Sequence, residues 1–192
     1  YAALTENDRE LGHRLAGRWL EDAGEKEAVA LAEHFERGAD AARAVRWYRR
    51  SAEQAIEGND LDKALAHAER GIACGATDKA LGELSLLQAD AHRWRAEFAE
   101  MRERAQVAWE ALPKGEAAWC KAAADIATAC RVLGHYDQLV SVGESLSQLK
   151  PLPHFEAAYT EAAARTAMQL FIIGWTKHGD ALLSRIADAE RL

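Results

Sequence analysis

The most enzyme-like cluster in the chain is His34, with Glu33 and Glu36 beside it. An imidazole with carboxylates within one helical turn has the groups for a metal site or for acid–base work. No second His stands four residues away, as the zinc pattern on a helix requires, and Leu31 and Phe35 put the segment in an apolar stripe. A packed, hydrogen-bonded imidazole at a helix interface is the expectation. The remaining histidines are scattered, and the serines form no Gly-x-Ser-x-Gly elbow. Nor does the chain hold a Gly-rich phosphate loop ending in Gly-Lys-Ser/Thr or a kinase His-Arg-Asp loop. Cys74, Cys120 and Cys130 are odd in number, lack CxxC spacing and lie in or beside apolar stripes. Buried thiols in a reducing cytoplasm are expected, rather than a disulfide framework or a thiolate metal site. The chain is therefore expected to be non-catalytic, with no metal and no cofactor.

Charge narrows the partner. Lys and Arg total 24 against 31 Asp and Glu, a net charge of -7, whereas nucleic-acid binding draws on clustered cations. Basic pairs such as Arg49-Arg50 and Arg93-Trp94-Arg95 sit among acids and read as solvated helix faces. With 49% apolar and 29% charged residues the chain is not disordered. Its alanine and leucine content, with only three prolines, favours helix. No apolar run reaches the ~18 residues of a membrane span, and the N-terminus lacks a basic start followed by an apolar core. A cytoplasmic location is expected. Tyr1 at the start, and Arg191-Leu192 directly after a helical pattern, read as a segment of a longer protein.

The elements that must position these groups come from periodicity. Ala41, Ala44, Val45, Tyr48, Ala52, Ala55 and Ile56 share one helical face, as do Leu61, Ala64, Leu65, Ala68 and Ile72. Between them, Gly58-Asn59-Asp60 reads as a stop, a left-handed residue and an N-cap. That is a helical hairpin, and the chain repeats it. Thr5 and Asp8 predict a capping box ahead of a face made by Leu11, Leu15, Trp19 and Ala23, with Gly24 as the stop and a second stripe from Ala28 to Phe35. A third pair carries Leu81, Leu84, Ala91 and Trp94, turns near Ala96, and continues through Met101, Ala105 and Trp109 to Pro113. The fourth runs through Trp119, Ile126 and Cys130, turns at Gly134-His135, and proceeds by Leu139, Val142 and Leu146 to Pro151. After Pro153 a long stripe through Tyr159, Ala163, Met168, Phe171 and Trp175 precedes a short helix with Leu183 and Ile186. The hairpins cover approximately 5–38, 41–73, 78–112, 115–149 and 154–191.

Ala16, Ala52, Ala89 and Ala127 occupy comparable points in successive first helices, at steps of roughly 36 to 38 residues, near the ~34 of a tetratricopeptide repeat. Leu15-Ala16 followed by Trp19, Asn59-Asp60 followed by Ala64, and the terminal Pro113 and Pro151 resemble that family's first-helix, turn and closing signatures. In the third and fourth units Met101 and Leu139 replace the second-helix alanine. The resemblance implies an all-α fold, a right-handed α-solenoid of about five helical hairpins. A further likeness lies at the N-terminus. Tyr1-Ala2-Ala3-Leu4-Thr5, Asp8-Arg9, His13, Trp19-Leu20, Leu31-Ala32-Glu33-His34-Phe35 and Trp47-Tyr48 resemble the segment behind the nucleotide-binding module of large bacterial signal-transducing ATPases. Such proteins often carry a serine/threonine kinase domain ahead of the ATPase.

In such a superhelix the first helices line a concave wall. Registered on the four alanines, the units turn His13, Arg49, Glu53, Asp90, Arg93, Thr128 and Arg131 toward it. The set lacks the Lys and Asn residues with which the family captures acidic C-terminal tails. Arg49, Arg93 and Arg131 either meet carboxylates or phosphates of a partner or bridge to Glu53 and Asp90 within the array. Trp94, Trp109, Trp119 and Trp175 are expected mainly as bulk in an alanine-rich core, with Trp94, between two arginines, the candidate for binding. The resulting expectation is a protein-interaction and regulatory scaffold that binds a protein or peptide segment, including one from the parent's own catalytic domains. A small-molecule effector sensor is the alternative, favoured by a pocket closed by Trp and Arg rather than an open groove.

Overall fold

The computed structural model describes residues 5–150 and 154–189. Expectations resting on Tyr1–Leu4, Pro151, Pro153 and Arg191 lie outside them. The described residues are all-helical, with ten α-helices and no strand. Two compact units divide the chain, residues 1–91 and 92–192.

The first unit holds α1 (Glu6–Asp22), α2 (Ala28–Arg37), α3 (Ala41–Glu57), α4 (Leu61–Ala73) and most of α5 (Asp78–Trp94). Its turns follow from local chemistry. The amide of Asp8 donates to Thr5 Oγ1 at 3.2 Å and that of Thr5 to Asp8 Oδ2 at 3.3 Å, a capping box at the start of α1. Asn59 takes a left-handed φ of 57°, and Asp60 caps α4 by accepting from the Lys63 amide at 3.2 Å. The connection before α3 uses the same device, with Ala39 at φ 53° and Asp40 accepting from the Arg43 amide. A Gly-x-Asp turn thus recurs twenty residues apart, the first copy with alanine and the second with asparagine in the left-handed position. Inside, Leu31, Ala32, Phe35, Ala44 and Tyr48 form a fully buried cluster. Ala52, Ala68 and Leu84 form another that ties α3 and α4 to α5.

The packing of α1 differs from the expected face. Leu11, Leu15 and Trp19 are 48%, 55% and 69% exposed, whereas the buried residue of α1 is Gly17. A Cβ on Gly17 would stand 3.1 Å from the Phe35 ring, so the missing side chain lets α1 lie close on α2. The apolar stripe at steps of four is real, but it faces outward.

The second unit holds α6 (Phe98–Ala111), α7 (Ala117–Leu133), α8 (Tyr136–Ser147), α9 (Glu156–Ile172) and α10 (Thr176–Ala189). α7 packs on α6, α8 and α9, and α10 packs on α8 and α9. Enclosed on three sides, α7 buries Trp119, Cys120, Ile126, Cys130 and a run of alanines. It ends at Gly134 in the left-handed conformation, φ 77°, which glycine adopts without steric cost. On α9 the buried register is Tyr159, Ala163, Thr166, Ala167 and Leu170, and Met168 is exposed. The step of five from Ala163 to Met168 breaks helical periodicity, so the expected stripe changed faces there. Leu182, rather than Leu183, is the buried leucine of α10.

Candidate functional site

In the first unit the polar side chains bind one another. Arg49 on α3 meets Glu53 Oε1 at 2.7 Å and Glu83 of α5 at 3.4 Å, and Arg50 meets the other oxygen of Glu53 at 3.2 Å. The Arg49 guanidinium thus bridges α3 and α5. Asp90 lies half-buried on α5. His13 and His34 face each other between α1 and α2, Nδ1 to Nδ1, at 3.2 Å. Burial, with His34 and Arg37 alongside, holds the His13 imidazole below its ordinary range. A hydrogen on one Nδ1, donated to the other, satisfies both nitrogens.

A denser network lies across α2, α3 and α4. Arg70 donates to Glu33 at 2.9 Å and also pairs with Glu36, and its guanidinium covers the Tyr48 ring at 4.8 Å. The Tyr48 hydroxyl donates to Glu36 at 2.6 Å. The Arg70 hydrogen bond holds the Glu33 carboxyl below its usual range, while burial and Glu36 push the Tyr48 phenol far up. Ser51 and His67 Nδ1 are 2.7 Å apart, but Ser51 is buried in mid-helix. These contacts fasten helices. Among the described residues no group of three His, Cys, Asp or Glu could hold a metal.

The second unit presents a cleft of about 500 Å³. Ala117, Lys121 and Ala124 come from one face of α7, and Ala158, Glu161, Ala162 and Arg165 from one face of α9. Arg93, in the last turn of α5, completes the lining. Two of these lining cations share a partner: fully buried Asp125, whose two oxygens accept from Lys121 Nζ at 3.0 Å and Arg165 at 2.8 Å. A buried carboxylate needs such partners, because desolvation otherwise costs several kcal/mol. Its consequence is positional: ammonium and guanidinium are pinned side by side along the wall.

The other expected residues of this unit separate. Arg131 donates to Gln169 of α9, again a bridge within the array. Thr128 bonds back to the Ala124 carbonyl at 2.9 Å. Trp94 is 65% exposed with the Arg93 guanidinium 5.4 Å from its ring. Trp119 is buried and tilts against half-buried Trp109 at 5.4 Å. Periodicity and repeat register did not single out Lys121, Asp125 or Arg165. The i,i+4 pair Lys121–Asp125 was legible locally, but Arg165 stands forty residues further on and only packing delivers it. Cys120 and Cys130 are buried with thiols pushed up to about 11 by desolvation.

No family model matches the chain, and no curated protein matches it.

Proposed function

We propose that this chain is a protein-interaction and regulatory scaffold, a right-handed tetratricopeptide-like solenoid belonging to a larger bacterial signalling protein of the kinase or ATPase type. One observation supports it above the others: α7 and α9 lie side by side as first helices of successive pairs, with a preformed cleft between them. A surface built on rigid helices costs little ordering when a segment binds. The cleft is lined by three cations, Glu161 and alanines, and no tryptophan of the kind that would close a small-molecule pocket is among those lining residues. The repeat spacing and turn signatures support the family, and the N-terminal likeness supports the signalling context.

Affinity capture with the immobilised chain from a lysate of its source, beside native mass measurement of the purified chain, tests the reading. A polypeptide held at defined stoichiometry is expected. A retained small molecule in place of any captured polypeptide overturns it in favour of a sensor.

A further inference from the structure

Going beyond the scaffold reading and independently of it, we infer that the outward face of α1 docks a second copy of this chain, the two α1 helices lying antiparallel about a two-fold axis midway between Leu11 and Leu15. Leu11, Leu15 and Trp19 stand exposed at steps of four, which lines them up on one face of the helix. Single exposed apolar side chains are ordinary, but a contiguous row rimmed by charge marks an interaction surface. The opposite face of α1 is already occupied. Gly17 lies against Phe35, and Arg14 donates to the Gly38 carbonyl at 2.9 Å.

The order of residues along the face selects the occupant. Asp8, Leu11, Leu15 and Arg18 follow at steps of three, four and three, the spacing of a seam between two helices crossing at about 20°. Laid against its own reverse, that seam sets Leu11 of each protomer beside Leu15 of the other and Asp8 beside Arg18, so every contact is made twice. Opposite charges therefore close both ends of a leucine centre. Asp8 and Arg18 are both exposed, and Asp8 turns Oδ2 to Thr5, which leaves Oδ1. Arg18 makes no ion pair among the described residues. Gly12 flanks the seam with open space where a Cβ would stand, room for the Trp19 ring of the second copy. A parallel pair would put Asp8 on Asp8 and Arg18 on Arg18, which like-charge repulsion opposes.

Sedimentation velocity of the chain over a concentration series tests this. The net charge of -7 opposes association, so the series runs at about 0.15 M ionic strength, where charges more than about 8 Å apart are largely screened. The mass is expected to rise from 21.1 kDa to twice that and stop, as a closed two-fold pair must. Leu15→Glu, which puts a charge into the apolar centre twice per pair, should raise the dissociation constant about a hundredfold, and Arg18→Glu about tenfold. Asp8→Lys should also dissociate alone, but an equimolar mixture of Arg18→Glu and Asp8→Lys chains restores opposite charges at both ends and should pair again. Circular dichroism of the dilute chains verifies that each variant is folded. A chain monomeric throughout overturns the inference and leaves the face to another partner, with the scaffold reading untouched. Growth beyond a dimer, a dimer indifferent to Leu15→Glu, or a mixture that stays dissociated also overturns it.

Discussion

At the scale of single residues, His13 carries a pH dependence whose sign follows from burial. Because the folded state holds His13 below its ordinary value, the unfolded chain binds its proton first as pH falls. Stability is fully present above about pH 6.5, the unfolded imidazole value, and declines below it until the folded value is passed. Thermal melts from about pH 7.5 to 5.5 should show a falling Tm, and His13→Asn, which keeps a hydrogen-bonding group but does not titrate, should flatten the slope. The cysteines offer an independent check. Thiolate supply sets alkylation rate, so at pH 8 half-buried Cys74 should react with iodoacetamide well before Cys120 and Cys130, whose thiols sit near 11. Peptide mass mapping reads the order, and denaturant should erase it.

At the scale of elements, the caps and close approaches set local stability. Asp60→Ala removes the acceptor for the Lys63 amide and should lower the urea midpoint, as the loss of an N-cap does. Gly38→Ala acts differently: its Cβ would stand 2.8 Å from the backbone nitrogen of Arg14, which cannot rotate away, so a loss of about 1–3 kcal/mol is expected. By contrast, Leu15→Glu on the outward face of α1 should change stability by less than about 0.5 kcal/mol. These contrasts also mark what the sequence made legible. Gly58-Asn59-Asp60, Thr5 with Asp8, and Gly134 disclose helix boundaries because caps and left-handed residues are local chemistry. Periodicity discloses that a face exists, as for Leu11, Leu15 and Trp19, but not what covers it. Ala39 and Ala96, left-handed without glycine or asparagine, carried no turn signal of their own.

At the scale of the molecule, long-range pairs decide what the helices present. The cleft depends on Asp125 meeting Arg165 across α7 and α9, a pairing that no local window contains. Asp125→Ala should destabilise the second unit by roughly 3 kcal/mol, the cost of breaking a buried ion pair, visible as a lower urea midpoint. Burial also grades the dynamics: α7 is enclosed on three sides, whereas among the described side chains of α10 Leu182 is the one fully buried. Amide hydrogen exchange should therefore be slowest in α7 and faster in α10. The alanines that let these helices approach have a genetic consequence. Ala122, Ala123, Ala124, Ala127 and Ala129 are all fully enclosed, and an alanine codon mutates in one base to Val, Thr, Pro, Ser, Gly or an acid. Each of these overfills the interface, breaks or loosens the helix, or buries a polar group. Random drift in α7 therefore has almost no neutral direction, and a saturation library should show it as the most depleted helix of the chain.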